Sequence, residues 1–244
     1  MNLLVVENVS KIFGGVQALN DISFSIEAGS RWVFIGPNGA GKTTLFRLIS
    51  GIMKPSMGRI FLFGRDITKA SPHQIAALGM ACTFQITSLF PRLTVQENVL
   101  LSVMASDRCR YGLFRPVNSY RNLFARTRSI LEQWGMHDKQ HAPVRELSYG
   151  EQRQLEIVLA LSQQPRVLLL DEPTSGLSPA ETGMVTSMLD SLPREITLLL
   201  IEHDMEVAFK LAEHFVVLHF GTIMAAGSPE EIKKNQRVQE AYIG

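Results

Sequence analysis

The segment Gly36-Pro-Asn-Gly-Ala-Gly-Lys42-Thr43-Thr44 constrains this chain more than any other. It is entered from Arg31–Ile35 (RWVFI), which reads as a buried strand. It runs into Lys42–Ser50, where Leu45, Leu48 and Ile49 share one helical face. Strand, glycine-rich turn and helix in that order are the context that G-x-x-x-x-G-K-[ST] requires. Gly36, Gly39 and Gly41, with Pro37, Asn38 and Ala40 between them, let backbone N–H groups turn inward around a phosphate. The helix start points the positive end of its dipole at the same anion. Lys42 is placed to neutralise β and γ phosphates, and the Thr43 hydroxyl to ligate Mg²⁺.

Elsewhere the chain alternates between strand and helix patterns. Leu4–Val9, Ser23–Ile26, Gly58–Phe63, Met80–Gln85, Val167–Leu170 and Ile196–Ile201 read as strands. Pro72–Leu78, Pro179–Ser191 and Met205–Ala212 read as helices, and Phe215–Leu218 with Thr222–Ala225 as a hairpin. Several strands are apolar throughout, which predicts a mainly parallel sheet covered by helices. From about Pro91 to Gln164 the pattern becomes helical, over Val95–Met104, Tyr120–Trp134 and Glu151–Ser162, with loop signals across Ser106–Asn118. This middle third reads as an insertion into a chain of 244 residues, long enough for a sizeable core.

Composition removes several classes of function. With 24 basic and 23 acidic residues the net charge is +1, too small for a nucleic-acid binder that works through a broad basic face. Cys82 and Cys109 cannot form a disulfide framework or a four-ligand zinc site, and read as ordinary thiols in a reducing compartment. No apolar run approaches the roughly 20 residues that span a bilayer. The start, MNLLVVENVSK, has no basic stretch before its apolar run. A soluble, cytoplasmic chain is expected, reaching any membrane process through a partner.

A second constellation narrows the chemistry. Val167–Leu170 is followed by Asp171-Glu172, and a buried strand delivers such carboxylates to the ligand crevice at its C-terminal end. Asp171 is placed to hold Mg²⁺ or its water, leaving Glu172 to orient and deprotonate an attacking water. His203, after the strand Ile196–Ile201, reaches the same crevice and is able to donate to a γ-phosphate oxygen. Gln85, at the end of Met80–Gln85, is a neutral amide that could sense both Mg²⁺ and the water. Ser148 and the N–H groups near Gly150, in Leu147-Ser-Tyr-Gly-Glu-Gln152, open another helix and form a second anion site. Two phosphate-seeking sites in one chain suggest two chains sharing one nucleotide.

In these motifs, their order and their approximate spacing, the chain resembles the nucleotide-binding subunits of ABC transporters over almost its whole length. The resemblance implies an α/β fold: a P-loop NTPase core with a mainly parallel sheet, an antiparallel β subdomain and a helical insertion. Residues 1–88 and 165–244 would form the core, and 89–164 the helical subdomain carrying the signature segment. It implies ATP and Mg²⁺ as cofactors. Phe13 would stack on adenine, Gln85 would link the ATP site to the membrane subunit, and Ser175–Ser178 would communicate between protomers. The implied partners are a second ATP-binding subunit in a head-to-tail dimer, permease subunits and a substrate-binding protein, with placement on the inner face of the cell membrane. KIFGGVQALND, Tyr149, IEHDM and the ending PEEIKKNQRVQEAYIG resemble the branch that imports branched-chain and hydrophobic amino acids. Importers of urea or amides and a lipopolysaccharide-export ATPase are close to it. Two positions depart from the commonest family form: LSYGE replaces LSGGQ, and Ser178 stands where many members carry Asp. A DNA-repair or chromosome-associated ATPase would share the ATP core, but this chain has no long heptad run. A P-loop kinase or GTPase would lack the signature segment and His203.

Overall fold

The computed structural model describes residues 2–83, 89–106 and 120–243. The chain separates into two units, one of Met1–Cys82, Arg166–Ser175 and Leu192–Gly244, the other of Thr83–Pro165 and Gly176–Ser191.

In the first unit, β7 (Val167–Asp171) and β8 (Thr197–Ile201) are buried at every position. A strand covered on both faces has no place for polar alternation, which is why VLLLD and TLLLI read as unbroken apolar runs. β8 lies between β3 (Arg31–Ile35) and β7, parallel to both. β9 (His214–His219) pairs with the far side of β3, again in parallel. The six-stranded sheet runs β10-β9-β3-β8-β7-β6, closed at its ends by β10 (Thr222–Gly227), antiparallel to β9, and β6 (Met80–Thr83). The registers set Phe34 beside Ile201 and Ile201 beside Asp171. The loops after β3, β8 and β7 therefore leave from one edge of the sheet.

A second, antiparallel sheet has the order β2-β1-β4-β5, from β1 (Asn2–Phe13), β2 (Val16–Glu27), β4 (Met57–Leu62) and the short β5 (Arg65–Asp66). β1 and β2 extend well beyond the expected Leu4–Val9 and Ser23–Ile26. They are joined by Gly14-Gly15, both at positive φ (49° and 94°), the backbone that a two-residue hairpin turn demands. One apolar core serves both sheets and α1 (Lys42–Ile49), through Leu4, Ile22, Ile26, Phe34, Phe46, Leu169, Leu199 and Val216. The Phe34 and Phe46 rings meet edge-on at 5.3 Å between centroids, fastening α1 to the strand that precedes its loop.

The second unit packs α3 (Val95–Ser106), α4 (Arg121–Gln133), α5 (Tyr149–Ser162) and α6 (Pro179–Asp190). The remaining helices, α2 (Pro72–Ala77), α7 (Met205–Leu211), α8 (Pro229–Lys234) and α9 (Gln236–Ile243), belong to the first. Reciprocal capping boxes start α2, α5, α6 and α8, from Ser71/Gln74, Ser148/Glu151, Ser178/Glu181 and Ser228/Glu231. Residues 176–191, expected in the core, group with the helical unit, where the start of α6 is hydrogen-bonded to the start of α5. The strand expected over Met80–Gln85 is described as far as Thr83, and Gln85 lies outside the described residues. The α/β architecture, with a parallel-rich sheet, an antiparallel sheet and a helical segment, is the one expected. Among the described residues no helix is long and apolar enough to cross a membrane.

Candidate functional site

The glycine loop sits on the sheet edge defined above. α2, α5, α6, α7 and α8 each begin on a side chain that caps their first N–H groups. α1 begins instead on Gly41, at φ 102°, with no side-chain cap. Its first turn thus presents N–H donors and the dipole's positive end to whatever acceptor arrives. A side chain at Gly41 would also collide with Leu19, whose Cδ2 lies 2.6 Å from the place of a Cβ. The crest of the loop, Asn38 and Gly39, is exposed, while Gly36 and Ala40 are buried. Ala40 N donates to the Pro37 carbonyl (3.1 Å) and accepts through its own carbonyl from Gly221 N (3.1 Å), which pins the loop to the β9–β10 turn.

Lys42 is 5% exposed, and its Nζ donates to the carbonyls of Gly36 (2.7 Å) and Pro37 (3.1 Å). Burial lowers its pKa, while the nearby Glu172 and Asp171 carboxylates work in the opposite direction. Thr43 and Thr44 follow in the first turn, both partly buried. Asp171, at the end of β7, is buried, and its carboxyl pKa is raised first by burial and then by Glu172, against the hydrogen bond to Thr43 and the charges of Arg47 and Lys42. Its Oδ1 is buried without a hydrogen-bond partner. An anionic oxygen left bare beside a hydroxyl is a natural ligand pair for a hard cation. Among the described residues no group of three or more His, Cys, Asp or Glu side chains could hold a metal, so a cation at Thr43 and Asp171 would draw its other ligands from phosphate and water.

Glu172 has a left-handed backbone, φ 51°, which for a non-glycine residue costs on the order of 1–2 kcal/mol. Its N–H donates to Ile201 (3.0 Å) and its carbonyl accepts from Ser175 N (3.2 Å). That turn aims the side chain at His203, whose Nε2 lies 2.5 Å from Glu172 Oε1. Glu172 and His203, predicted from separate strands, are thus in direct contact. Phe13 stands at the tip of the β1–β2 hairpin, 42% exposed, with the Lys11 ammonium 5.1 Å from its ring centroid.

Ser148 and Gly150 belong to the helical unit, and an anion does occupy their donors: the chain's own Glu181. Ser148 Oγ (3.0 Å) and Gly150 N (3.1 Å) both donate to Glu181 Oε1, and Ser178 N (3.0 Å) and Oγ (2.8 Å) to Oε2. These donors, Ser178 foremost, push the Glu181 carboxyl down to about 2. The two departures from the common family form also find partners. Glu151 turns away to Ser148 N (2.9 Å) and the Lys139 ammonium, and Ser178 caps α6. Glu181 escaped the sequence reading, although Ser178-Pro-Ala-Glu181 spells a capping box. So did Glu202, one residue before His203 and 2% exposed.

A glycine loop on an uncapped helix, beside a bare carboxylate and a carboxylate–imidazole pair at one edge of a parallel-rich sheet, defines a nucleotide-hydrolysing cassette. The chain matches the ABC transporter family over residues 19–175, and a branched-chain amino acid ATP-binding cassette transporter family over 222–244. It belongs to the ABC transporter family and is an ATPase of that family. It is 36% identical over 249 residues to the high-affinity branched-chain amino acid transport ATP-binding protein BraF of Pseudomonas aeruginosa, covering 99% of this chain and 98% of that one. Against the LivG protein of the same description from Salmonella typhimurium it is 37% identical over 251 residues, with the same coverage. A solved ATP-binding cassette of an ABC transporter in its ADP conformation superposes with a TM-score of 0.88 at 30% identity, over 100% of this chain and 99% of that one.

Replacing Lys42 with Ala removes the one ammonium seated inside the loop. Charge-assisted hydrogen bonds contribute about 1.5–3 kcal/mol, so ATP affinity should fall roughly 10- to 100-fold in an equilibrium binding measurement, with the far-UV circular dichroism unchanged. Near-normal affinity would mean that the loop does not hold the phosphates.

Proposed function

We propose that this chain is the ATP-hydrolysing subunit of an importer of branched-chain or other hydrophobic amino acids, working on the inner face of the cell membrane against separate permease subunits, with a substrate-binding protein in the complex. The cargo reading is carried by the match at residues 222–244, beyond the stretch 19–175 that matches the ABC transporter family, to a family named for branched-chain amino acids. The full-length likeness to BraF and LivG supports it.

In this reading adenine stacks on Phe13, and the N–H groups of residues 38–39 and 41–44 ring the phosphates. Lys42 exchanges the carbonyls of Gly36 and Pro37 for the β and γ phosphates. Thr43 and Asp171 would hold Mg²⁺, which supplies positive charge against the triphosphate, and Gln85 would sense both the ion and the water. Glu172 takes the proton of the attacking water, and His203 holds the Glu172 carboxylate and donates to the γ-phosphate. A second ATP-binding subunit completes the site: its Ser148 and Gly150 would release their Glu181 and take the γ-phosphate. ATP then favours the dimer by mass action, and hydrolysis reopens it.

Glu172→Gln keeps the shape of the side chain and loses the proton acceptor. ATP binding should persist while turnover falls about 10²- to 10⁴-fold, measured as phosphate release; hydrolysis within a few-fold of wild type would remove Glu172 from the role.

The same variant should elute as a monomer without nucleotide and as a dimer with ATP, followed by size exclusion with light scattering. Adding Ser148→Arg should abolish the shift while each monomer still binds ATP. A double variant that dimerises as well as the single one would overturn the shared site.

A further inference from the structure

Glu202 is a buried carboxylate with no assigned task. It follows β8 directly, and the donors around it come from two loops. Thr174 N (3.2 Å) and Thr174 Oγ1 (2.7 Å) donate to its Oε1, and His203 N (3.1 Å) donates to its Oε2. Thr174 lies two residues after Glu172, and His203 is the residue in contact with the Glu172 carboxylate. One oxygen of Glu202 therefore grips the loop that carries the carboxylate, and the other the loop that carries the imidazole. Among the described residues no basic side chain forms an ion pair with it; N–H and O–H donors meet its charge instead.

We propose that Glu202 is a positioning residue for ATP hydrolysis, holding the Glu172 turn and the His203 loop at the separation that keeps carboxylate and imidazole in contact. The need for such a residue comes from the backbone of Glu172. A left-handed conformation at a non-glycine residue persists only where its surroundings over-determine it. The bond from Glu172 N to Ile201 fixes the near side of the turn. Thr174, gripped through both its N–H and its hydroxyl, fixes the far side. A carboxylate suits this position because it accepts on both oxygens. Burial raises the Glu202 pKa, and the bonds from Thr174, His203 and Asp204 act against that rise, so the contacts favour the charged acceptor form. An amide of the same shape has one acceptor oxygen, and its NH₂ would face a donor in one of the two loops.

The inference rests on Glu172 and His203 being the reacting pair, and the experiment separates the two claims. Glu202→Gln, Glu202→Ala, Glu172→Gln and the double variant Glu172→Gln/Glu202→Gln are compared by steady-state ATP hydrolysis and by ATP binding. Misplacing a reacting group by about 1 Å costs on the order of 10²-fold. Glu202→Gln should lower kcat at least about tenfold, with KM and Kd for ATP within twofold of wild type. Glu202→Ala should lower kcat further; if it fails to fold, the isosteric Glu202→Gln carries the test. Because Glu202 acts through Glu172, the double variant should be no slower than Glu172→Gln alone. The NMR signals of the His203 ring should move in Glu202→Gln, reporting its altered contact with Glu172. If Glu172→Gln is inactive while Glu202→Gln keeps wild-type kcat, with or without a lower Tm, Glu202 is only structural and the inference falls. A double variant slower than Glu172→Gln by the full single-variant factor overturns it too. A Glu172→Gln chain that turns over within a few-fold of wild type instead removes the pair on which the inference stands.

Discussion

Everything at the sheet edge depends on the hydrogen bonding of β8 between β3 and β7. Those two ladders fix Phe34, Ile201 and Asp171 side by side. A slip of one residue in either would turn every side chain of that strand to the opposite face. β7 and β8 are apolar on both faces, so what such a slip would disturb is the end of β7, where Asp171 stands beside Ile201. The glycine loop, the Glu172 turn and the His203 loop are short continuations of three strands whose ends have no freedom to move apart. The precision of the site comes from packing well away from it.

The helix starts divide into two kinds by the same chemistry. α2, α3, α5, α6, α7, α8 and α9 satisfy first-turn N–H groups with Ser, Thr, Asp or Asn side chains, whereas α1, on Gly41, and α4, on Tyr120, begin without one. A capped helix start is finished locally. An uncapped one, held open by Gly41 and fastened by Phe34 against Phe46, is a site that remains to be completed. α5 is intermediate: Ser148 and Glu151 cap it, yet Ser148 Oγ and Gly150 N still have hydrogens to give, and Glu181 receives them.

Much of this was legible in the sequence, because it is written in local pattern. Buried strands announce themselves as runs such as VLLLD, and the glycine loop as a fixed spacing between a strand and a helix. Asp171, Glu172 and His203 were found because each follows such a strand. What local pattern does not carry is which acceptor meets which donor across distant segments. Glu181 lies thirty-three positions from Ser148 and Glu202 twenty-eight from Thr174. Both read from the sequence as ordinary acids, one at a helix start and one at a strand end. β1 and β2 extend further than their pattern suggests for a different reason: toward the hairpin, buried positions such as Leu19 and Ile22 stand among exposed ones and the register shifts, which breaks the alternation by which a strand is read. The grouping of α6 with the helical unit was hidden likewise, since it involves a contact from Glu181 to the start of α5 that the helix's own pattern does not announce.

Glu181 has a consequence for recognition. Four donors converge on one partly exposed carboxylate that is covalently attached to the chain it binds. Any other anion that reaches Ser148 and Gly150 competes with a tethered rival whose local concentration never falls on dilution. Its apparent affinity is its intrinsic affinity multiplied by the fraction of time that the rival is away. That factor lowers the apparent affinity of every competing anion alike, so only one whose own contacts with these donors are strong fills the site. An anion arriving at this helix start has to displace a carboxylate already in place rather than enter an empty site.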